Sequence, residues 1–162
     1  MAVTHTTYLL LGSNLGNREA LLEQAVQELA GLGKIAALSA VKETEPWGFE
    51  EKVPSFLNQA VRLETTLGPE ELLQKCLEIE KKLGRQRPEN NAQGKSGSNT
   101  DSKSGMKAYS SRLIDIDILL FNQLKHKSKQ LTIPHPRLRE RPFAIALLQE
   151  ILPKNISLQD FY

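Results

Sequence analysis

One stretch of the chain decides its fold: Arg112-Leu113-Ile114-Asp115-Ile116-Asp117-Ile118-Leu119-Leu120-Phe121. A short run of β-branched and apolar residues is typical of a strand. Because side chains alternate across a strand, we expect one face to lie in the core, formed by Ile114, Ile116, Ile118 and Leu120. Asp115 and Asp117 then lie side by side on the opposite face.

The carboxylate pair has two interpretations. Adjacent carboxylates repel each other and lose hydration, a cost that a bound cation offsets, and Mg²⁺ prefers such oxygen ligands. Alternatively, Asp115 and Asp117 are only the solvated half of an amphipathic edge strand. For an isolated Asp-x-Asp motif the second interpretation is the better one, since short motifs match often by chance. The rest of the chain has to decide between the two.

Length and composition place the chain among ordinary globular proteins. It has 162 residues, with 40% hydrophobic and 25% charged residues, enough for one domain spanning 1–162. It lacks both a long apolar run and the features of a signal peptide, so we expect no membrane span and no secretion. The single Cys76 excludes an internal disulfide and fits a reducing compartment. We expect a cytoplasmic monomer in which Cys76 is a buried hydrophobe.

Positive charge is concentrated around the Asp pair. Residues 85–141 contain 12 Lys/Arg and 5 Asp/Glu, a local charge of +7, whereas the remainder contains 9 and 14, a charge of −5. A basic field beside a carboxylate pair favours a polyphosphate–metal ligand. A nucleic-acid-binding face would use such a field too. It has no use for the acidic pair, however, and few aromatic residues accompany the basic ones.

Hydrophobic periodicity and turn residues predict the other elements. The predicted strands cover residues 8–11, 35–41 and 56–65, and the predicted helices residues 18–30, 69–84 and 141–151. Residues 43–49 are expected to form a loop, and residues 124–131 a short strand or turn. The order βαββα, loop, ββα predicts an α+β sandwich with helices on a mostly antiparallel sheet.

Three further segments carry candidate chemistry. Residues 88–108 are rich in Gly, Ser, Asn and Lys and predict a mobile loop, either a lid over an anionic ligand or a tolerated surface insertion. Phe56 and Asn58 share one strand face and can stack a flat ring and hydrogen-bond its edge. His135, held between two prolines and followed by three arginines, either donates to phosphate oxygens or belongs to a solvated basic turn.

Five motifs occur in order along the chain. They are Leu11-Gly12-Ser13-Asn14-Leu15-Gly16, Phe56-Leu57-Asn58, Glu80-x-x-Leu83-Gly84-Arg85-x-Arg87, Arg112-x-x-Asp115-Ile116-Asp117-Ile118-Leu119 and Pro134-His135-Pro136-Arg137-x-x-x-Arg141-x-Phe143. Together, over about residues 8–153, they resemble the 6-hydroxymethyl-7,8-dihydropterin pyrophosphokinase family of folate biosynthesis. The resemblance implies a ferredoxin-like α+β fold. It also implies transfer of a pyrophosphoryl group from ATP to the hydroxymethyl group of the pterin, with release of AMP.

The resemblance also implies roles for individual residues. Two Mg²⁺ ions would be held by Asp115 and Asp117. The phosphates would be contacted by Arg85, Arg87, Arg112, His135 and Arg141. The pterin would lie between Phe56 and Phe143, hydrogen-bonded by Asn58 and by backbone near Thr44 and Trp47. The backbone of Leu131 and Thr132 would contact adenine. Gly12, Ser13 and Asn14 are interpreted as architecture that supports this site.

Two other functions compete with this one. A non-catalytic nucleotide-binding module of the same class needs the basic region but not the wall of Phe56 and Asn58, and would ignore pterins. An RNA-binding α+β domain would bind RNA with a steep dependence on salt. We expect the enzyme, with ATP and the pterin as its partners and neither nucleic acid nor membrane among them.

Overall fold

The computed structural model describes residues 3–14, 16–44, 55–84 and 114–162. Its main sheet contains β1 (His5–Ser13), β2 (Gly33–Leu38), β3 (Lys42–Thr44), β4 (Phe56–Thr65) and β5 (Ile114–Phe121). The strand order is β2-β4-β1-β5, and β3 pairs with β4 beyond the end of β2. These pairings are antiparallel, as the sequence predicts.

Three α-helices cover the two faces of the described sheet. Helices α1 (Arg18–Ala30) and α2 (Pro69–Gly84) pack on one face, against the side chains of Leu9, Leu11 and Leu63. Helix α3 (Pro142–Ile151) packs on the other face, against Tyr8 and Leu10. This layering and strand order confirm the predicted ferredoxin-like α+β fold.

Local chemistry explains where the helices begin and end. The side chain of Asn17 caps α1 by accepting a hydrogen bond from the Ala20 N–H at 3.1 Å, and Gly31 follows its last turn. Helix α2 begins at Pro69, whose missing N–H costs nothing in a first turn. Its buried residues are the predicted ones: Leu72, Cys76, Ile79 and Leu83. The helix boundaries predicted from sequence are therefore confirmed for α1 and α2.

Cys76 behaves as a buried hydrophobe, as predicted. Its side chain is fully buried within the core cluster between the sheet and α1 and α2. Burial, with the carboxylates of Glu80 and Asp117 nearby, raises the pKa of its thiol to about 12. The thiol is therefore protonated at neutral pH and is not a nucleophile.

The predicted core face of β5 is wrong at one position. Ile114, Ile116 and Ile118 pack towards α1 and α2, but Leu120 packs on the α3 side with Tyr8. The reason is a β-bulge: Leu9 pairs with Ile118 and Tyr8 with Leu120, so Leu119 is an extra residue. An extra residue reverses the alternation beyond it.

The region after β2 also differs from the prediction. The predicted strand 35–41 ends at Leu38, and β3, which carries Thr44, extends into the predicted loop at 43–49. Ser39 interrupts the ladder because its hydroxyl, instead of a backbone carbonyl, accepts the Ala60 N–H at 2.8 Å. Backbone pairing with β4 resumes at Lys42, opposite Asn58, so one edge of the sheet continues towards the cavity described below.

The predicted strand or turn at 124–131 is a small hairpin, β6 (His126–Lys127) and β7 (Thr132–Ile133), which forms its own two-stranded sheet. Glu70 of α2 holds it through His126 Nε2 at 3.0 Å and the Ser128 hydroxyl at 3.2 Å. The proposed mobile loop at 88–108 lies outside the described residues. Within the described ranges, no helix is long and apolar enough to cross a membrane.

Candidate active site

A cavity of about 590 Å³ opens at one end of the sheet, on the face that α3 covers. It lies where β1 ends and β4 begins, and α3 begins at its edge. Among the described residues it is lined by Leu10, Gly12, Thr44, Phe56, Asn58, Asp115, Asp117, Arg137, Glu140, Arg141, Pro142 and Phe143. Aromatic, amide, acidic and basic groups thus share one concave space, the usual character of a small-molecule site.

Strand register sets the spacing across the cavity floor. Gly12 on β1 pairs with Asn58 on one side and with Asp115 on the other. Adjacent strands lie about 4.8 Å apart, so the backbones of Asn58 and Asp115 are about 10 Å apart. A Cβ on Gly12 would lie 3.3 Å from Asn58 Oδ1 and 3.7 Å from the Phe56 ring. The glycine therefore keeps the floor open between the amide and the carboxylates.

The Asn58 amide has a fixed orientation. Its Nδ2 donates to the Thr44 hydroxyl at 2.8 Å and to the Lys42 carbonyl at 3.3 Å. A carbonyl oxygen can only accept, so the group beside Lys42 O must be the NH₂ group. The amide oxygen then faces Gly12 on the cavity floor as an acceptor. Asn58 is 4% exposed, so a ligand N–H that donates to this buried oxygen would contribute substantially to the free energy of binding.

The two carboxylates lie on the cavity side of β5, as the alternation predicts. Asp115 and Asp117 are partly exposed and line the cavity, while their neighbours Ile114 and Ile116 are in the core. Arg141 donates to Asp117 Oδ2 at 3.3 Å, so a cation already compensates part of the charge. Two carboxylates with room beside them for phosphate oxygens and water form a donor set that suits Mg²⁺.

Glu80 holds the backbone of β5 between the two carboxylates. Strand β5 is at the edge of the described sheet, and the Ile116 N–H, between the two Asp, donates to Glu80 Oε2 at 2.7 Å. This bond ties the strand to α2 at the position where the carboxylate spacing is set. No role for Glu80 is predicted from the sequence, because a side-chain contact with a backbone N–H 36 residues away has no local sequence signal.

We expect Glu80→Gln to retain the fold and to lower turnover by roughly tenfold, because a neutral amide holds the Ile116 N–H more weakly than a carboxylate does. Steady-state kinetics and a thermal melt of the same preparation check this. Glu78→Gln on the same helix is the control, since among the described residues Glu78 forms an exposed ion pair with Lys75 and no other. Equal turnover for the two variants would show that Glu80 does not position the Asp pair.

His135 carries its proton on Nε2. The Arg137 backbone N–H donates to His135 Nδ1 at 3.1 Å, so Nδ1 is the acceptor nitrogen of the ring. Burial lowers the pKa of His135 below its ordinary value. Asp117 opposes this shift, while Arg141 and Arg137 add to it. At neutral pH His135 is therefore a neutral Nε2–H donor, and the prediction that it lies outside a helix is confirmed.

The structure brings together most of the predicted site residues that it describes. Seven of them line the cavity: Thr44, Phe56, Asn58, Asp115, Asp117, Arg141 and Phe143. Leu131, Thr132 and His135 are not among its lining residues. Leu131 is buried in the core, and Thr132 lies in β7. Arg85, Arg87, Arg112 and Trp47 lie outside the described residues.

Besides these seven, the cavity is lined by five residues for which no ligand contact is predicted: Leu10, Gly12, Arg137, Glu140 and Pro142. Gly12, interpreted as supporting architecture, forms the cavity floor itself, and only the strand register reveals this. Arg137 lies within a quoted motif, yet its neighbours Arg139 and Arg141 look the same in sequence. The structure separates the three, since Arg137 and Arg141 line the cavity and Arg139 stacks on Tyr162, 3.8 Å from the ring centre.

Comparisons with known proteins agree with this geometry. Residues 8–153 match the family model described as 7,8-dihydro-6-hydroxymethylpterin-pyrophosphokinase (HPPK). A Bacillus subtilis protein named 2-amino-4-hydroxy-6-hydroxymethyldihydropteridine pyrophosphokinase is 38% identical over 151 residues, covering 92% of this chain and 79% of that protein. A Porphyromonas gingivalis protein of the same name is 39% identical over 148 residues, covering 90% of each chain.

Solved structures share the fold. The chain superposes on a Plasmodium falciparum HPPK-DHPS structure with pteroate, with a TM-score of 0.62 and 16% identity over 98% of this chain. It spans 40% of that longer chain, and at this identity the match speaks for the fold alone. The family match covers most of the sequence, includes the cavity residues and agrees with two relatives of similar length. The chain therefore belongs to the HPPK family.

Proposed function

We propose that this chain transfers a pyrophosphoryl group from MgATP to 6-hydroxymethyl-7,8-dihydropterin, giving AMP and the pterin pyrophosphate for folate biosynthesis. The observation that carries the proposal is the cross-strand row Asn58–Gly12–Asp115. It puts an amide suited to a flat heterocycle and a carboxylate suited to metal-bound phosphates at opposite ends of one floor. Family membership and the names of the relatives support the same reaction.

One end of the cavity suits the pterin. Phe56 and Phe143 both line it, and two aromatic rings can enclose a flat ring between their faces. The inward amide oxygen of Asn58 can accept from a pterin N–H, and the Thr44 hydroxyl holds that amide in place. The aromatic rings would fix the plane of the substrate, and the amide would fix its rotation within that plane.

The other end suits the triphosphate. Asp115 and Asp117 would hold two Mg²⁺ ions, which when bound offset the charge of the phosphates and orient them. Arg141, beside Asp117, is placed to exchange its carboxylate partner for a phosphate oxygen. His135 would donate its Nε2–H to another oxygen. By correspondence with the family motifs, Arg85, Arg87 and Arg112 would add cations at this end.

Catalysis in this account is mainly positioning. The pterin hydroxyl attacks the β-phosphorus of ATP, the bond between that phosphorus and the α–β bridging oxygen breaks, AMP leaves with that oxygen, and the proton of the hydroxyl is released to solvent. The row of Asn58, Gly12 and Asp115 sets the distance between the two substrates. Arg141 and His135 stabilise charge that builds on the phosphate oxygens. Such preorganised charge supplies most of the rate in phosphoryl transfer.

Product analysis tests the proposed reaction. We expect incubation of the protein with Mg²⁺, ATP and 6-hydroxymethyl-7,8-dihydropterin to yield AMP and the pterin pyrophosphate in equal amounts, identified by chromatography with mass detection. Omitting the pterin should leave ATP intact, which separates transfer from hydrolysis. Release of ADP, or AMP formed with free pyrophosphate, would contradict the proposal. Binding of nucleotide with indifference to the pterin would favour the non-catalytic nucleotide-binding module instead.

A further inference from the structure

Arg137 is a cation at the cavity wall whose side chain has no anionic partner among the described residues. Arg141, the other arginine there, is engaged with Asp117 at 3.3 Å. Arg137 lines the same cavity and forms no ion pair within the part of the chain that the structure describes, even though Glu140 also lines this space. An exposed guanidinium beside a carboxylate-lined cavity is available to an anionic ligand.

The backbone of Arg137 is fixed although its side chain is exposed. Its N–H donates to His135 Nδ1 at 3.1 Å, and its carbonyl accepts from the Glu140 N–H at 3.0 Å. The residues that flank this turn are also fixed. Before it, the His135 N–H donates to the Leu119 carbonyl of β5 at 2.9 Å, and after it the side chain of Leu138 is fully buried. The guanidinium therefore extends from an anchored turn, and ordering it on a ligand costs only side-chain freedom.

The position of Arg137 favours the phosphate end of the cavity. Arg137 follows His135 by two residues, and its positive charge helps to lower the pKa of His135. The negative charge of Asp117 acts on the same ring in the opposite direction. A guanidinium offers a planar fork of donors that matches the oxygens of a phosphate. A neutral pterin ring gains much less from the same group.

We propose that Arg137 is a binding residue for a phosphate group of the nucleotide, taking oxygens that the Asp-bound metal and Arg141 leave open. The inference rests on the proposed function, because it assumes that a nucleoside triphosphate occupies the cavity. Arg137 then has two roles in the site. Its backbone N–H sets His135 as an Nε2–H donor, and its side chain adds a second donor to the same phosphates.

Arg139 provides a matched control. It lies two residues further on, is exposed like Arg137, and changes the net charge equally when replaced. Its guanidinium stacks on Tyr162 at 3.8 Å, and it is not among the cavity residues. Arg137→Met and Arg139→Met thus remove the same charge, one at the cavity and the other away from it. The Arg137 variant also keeps the backbone N–H that fixes His135.

The experiment measures binding by calorimetry, with Mg²⁺, for adenosine, AMP and a non-transferable methylene analogue of ATP. We expect Arg137→Met to weaken analogue binding about tenfold, AMP binding less, and adenosine binding within twofold. Arg139→Met should bind all three as the wild type does. The Arg137 loss should shrink at high salt, because screening weakens the contact in the wild type.

Three results would overturn the inference. Equal losses in the two variants would indicate a general charge effect, and an equal loss for adenosine would indicate a distorted cavity. Unchanged analogue binding in Arg137→Met would show that no phosphate is contacted. If the wild type itself bound no nucleotide, the proposed function would fail with it, whereas the first three results leave the proposed function standing.

Discussion

Replacing Asp117 with alanine is expected to lower turnover by about three orders of magnitude or more, because metal-assisted charge compensation contributes several kcal/mol to such reactions. Asp117 lines the cavity and accepts a hydrogen bond from Arg141 at 3.3 Å. In the proposed site, removal of this carboxylate would leave Asp115 alone of the pair to hold the metal. Arg141 loses its partner, and the phosphates lose their alignment. Single-turnover kinetics at saturating Mg²⁺ measure the effect.

The fold is expected to survive this change. The Asp117–Arg141 pair is partly exposed, with side chains 35% and 26% accessible, so its removal costs about 1 kcal/mol or less. Glu64→Gln is the control. Glu64 is a strand carboxylate that pairs with Thr6 at the far end of the sheet and lines a separate groove. Near-normal turnover by the Asp117 variant, with its melting temperature unchanged, would show that the carboxylate pair does not hold the metal.

Replacing Asn58 with alanine is expected to weaken pterin binding by about 100-fold while nucleotide binding stays within twofold. The amide oxygen faces the floor of the cavity and would be the group that distinguishes a pterin from other flat rings. A site that loses a buried hydrogen-bonding group discriminates much less against other ligands. Fluorescence titration with the pterin, and separate calorimetry with an ATP analogue, measure the two affinities.

The neighbouring amide on β4 is the matched control. Gln59 Nε2 donates to the Ser39 carbonyl at 3.0 Å and does not line the cavity. Gln59→Ala thus removes an amide–carbonyl bond of similar strength away from the site. We expect it to lower stability by about 1 kcal/mol and to leave pterin affinity unchanged. Parallel losses in the two variants would mean that the Asn58 effect comes from the sheet edge and not from a ligand contact.

The sequence predicts those features whose physics is local. Helix α2 follows from Pro69, a four-residue apolar stripe and Gly84, and strand β4 places Phe56 and Asn58 opposite Leu57 through simple alternation. The Asp pair of β5 lies on the predicted face for the same reason. The residues that begin, end and orient these elements lie within each segment, so they can be predicted without knowing which strands lie beside them.

Features that depend on the pairing of two distant segments cannot be predicted from the sequence pattern of either one. The bulge at Leu119 arises from the pairing of β5 with β1, and it moves Leu120 to the opposite layer. Strand β3 exists only because β4 offers it an edge. The roles of Gly12 and Glu80 likewise come from register and from a long-range backbone contact. No periodicity within one segment encodes such pairings.

The most direct test of the account is the structure of a ternary complex with Mg²⁺, a non-transferable ATP analogue and 6-hydroxymethyl-7,8-dihydropterin. We expect metal density bounded by Asp115 and Asp117, and the pterin between Phe56 and Phe143 with an N–H on Asn58 Oδ1. The triphosphate should run between them over Gly12. Metal density away from the Asp pair, or a pterin outside the wall of Phe56 and Asn58, would contradict it.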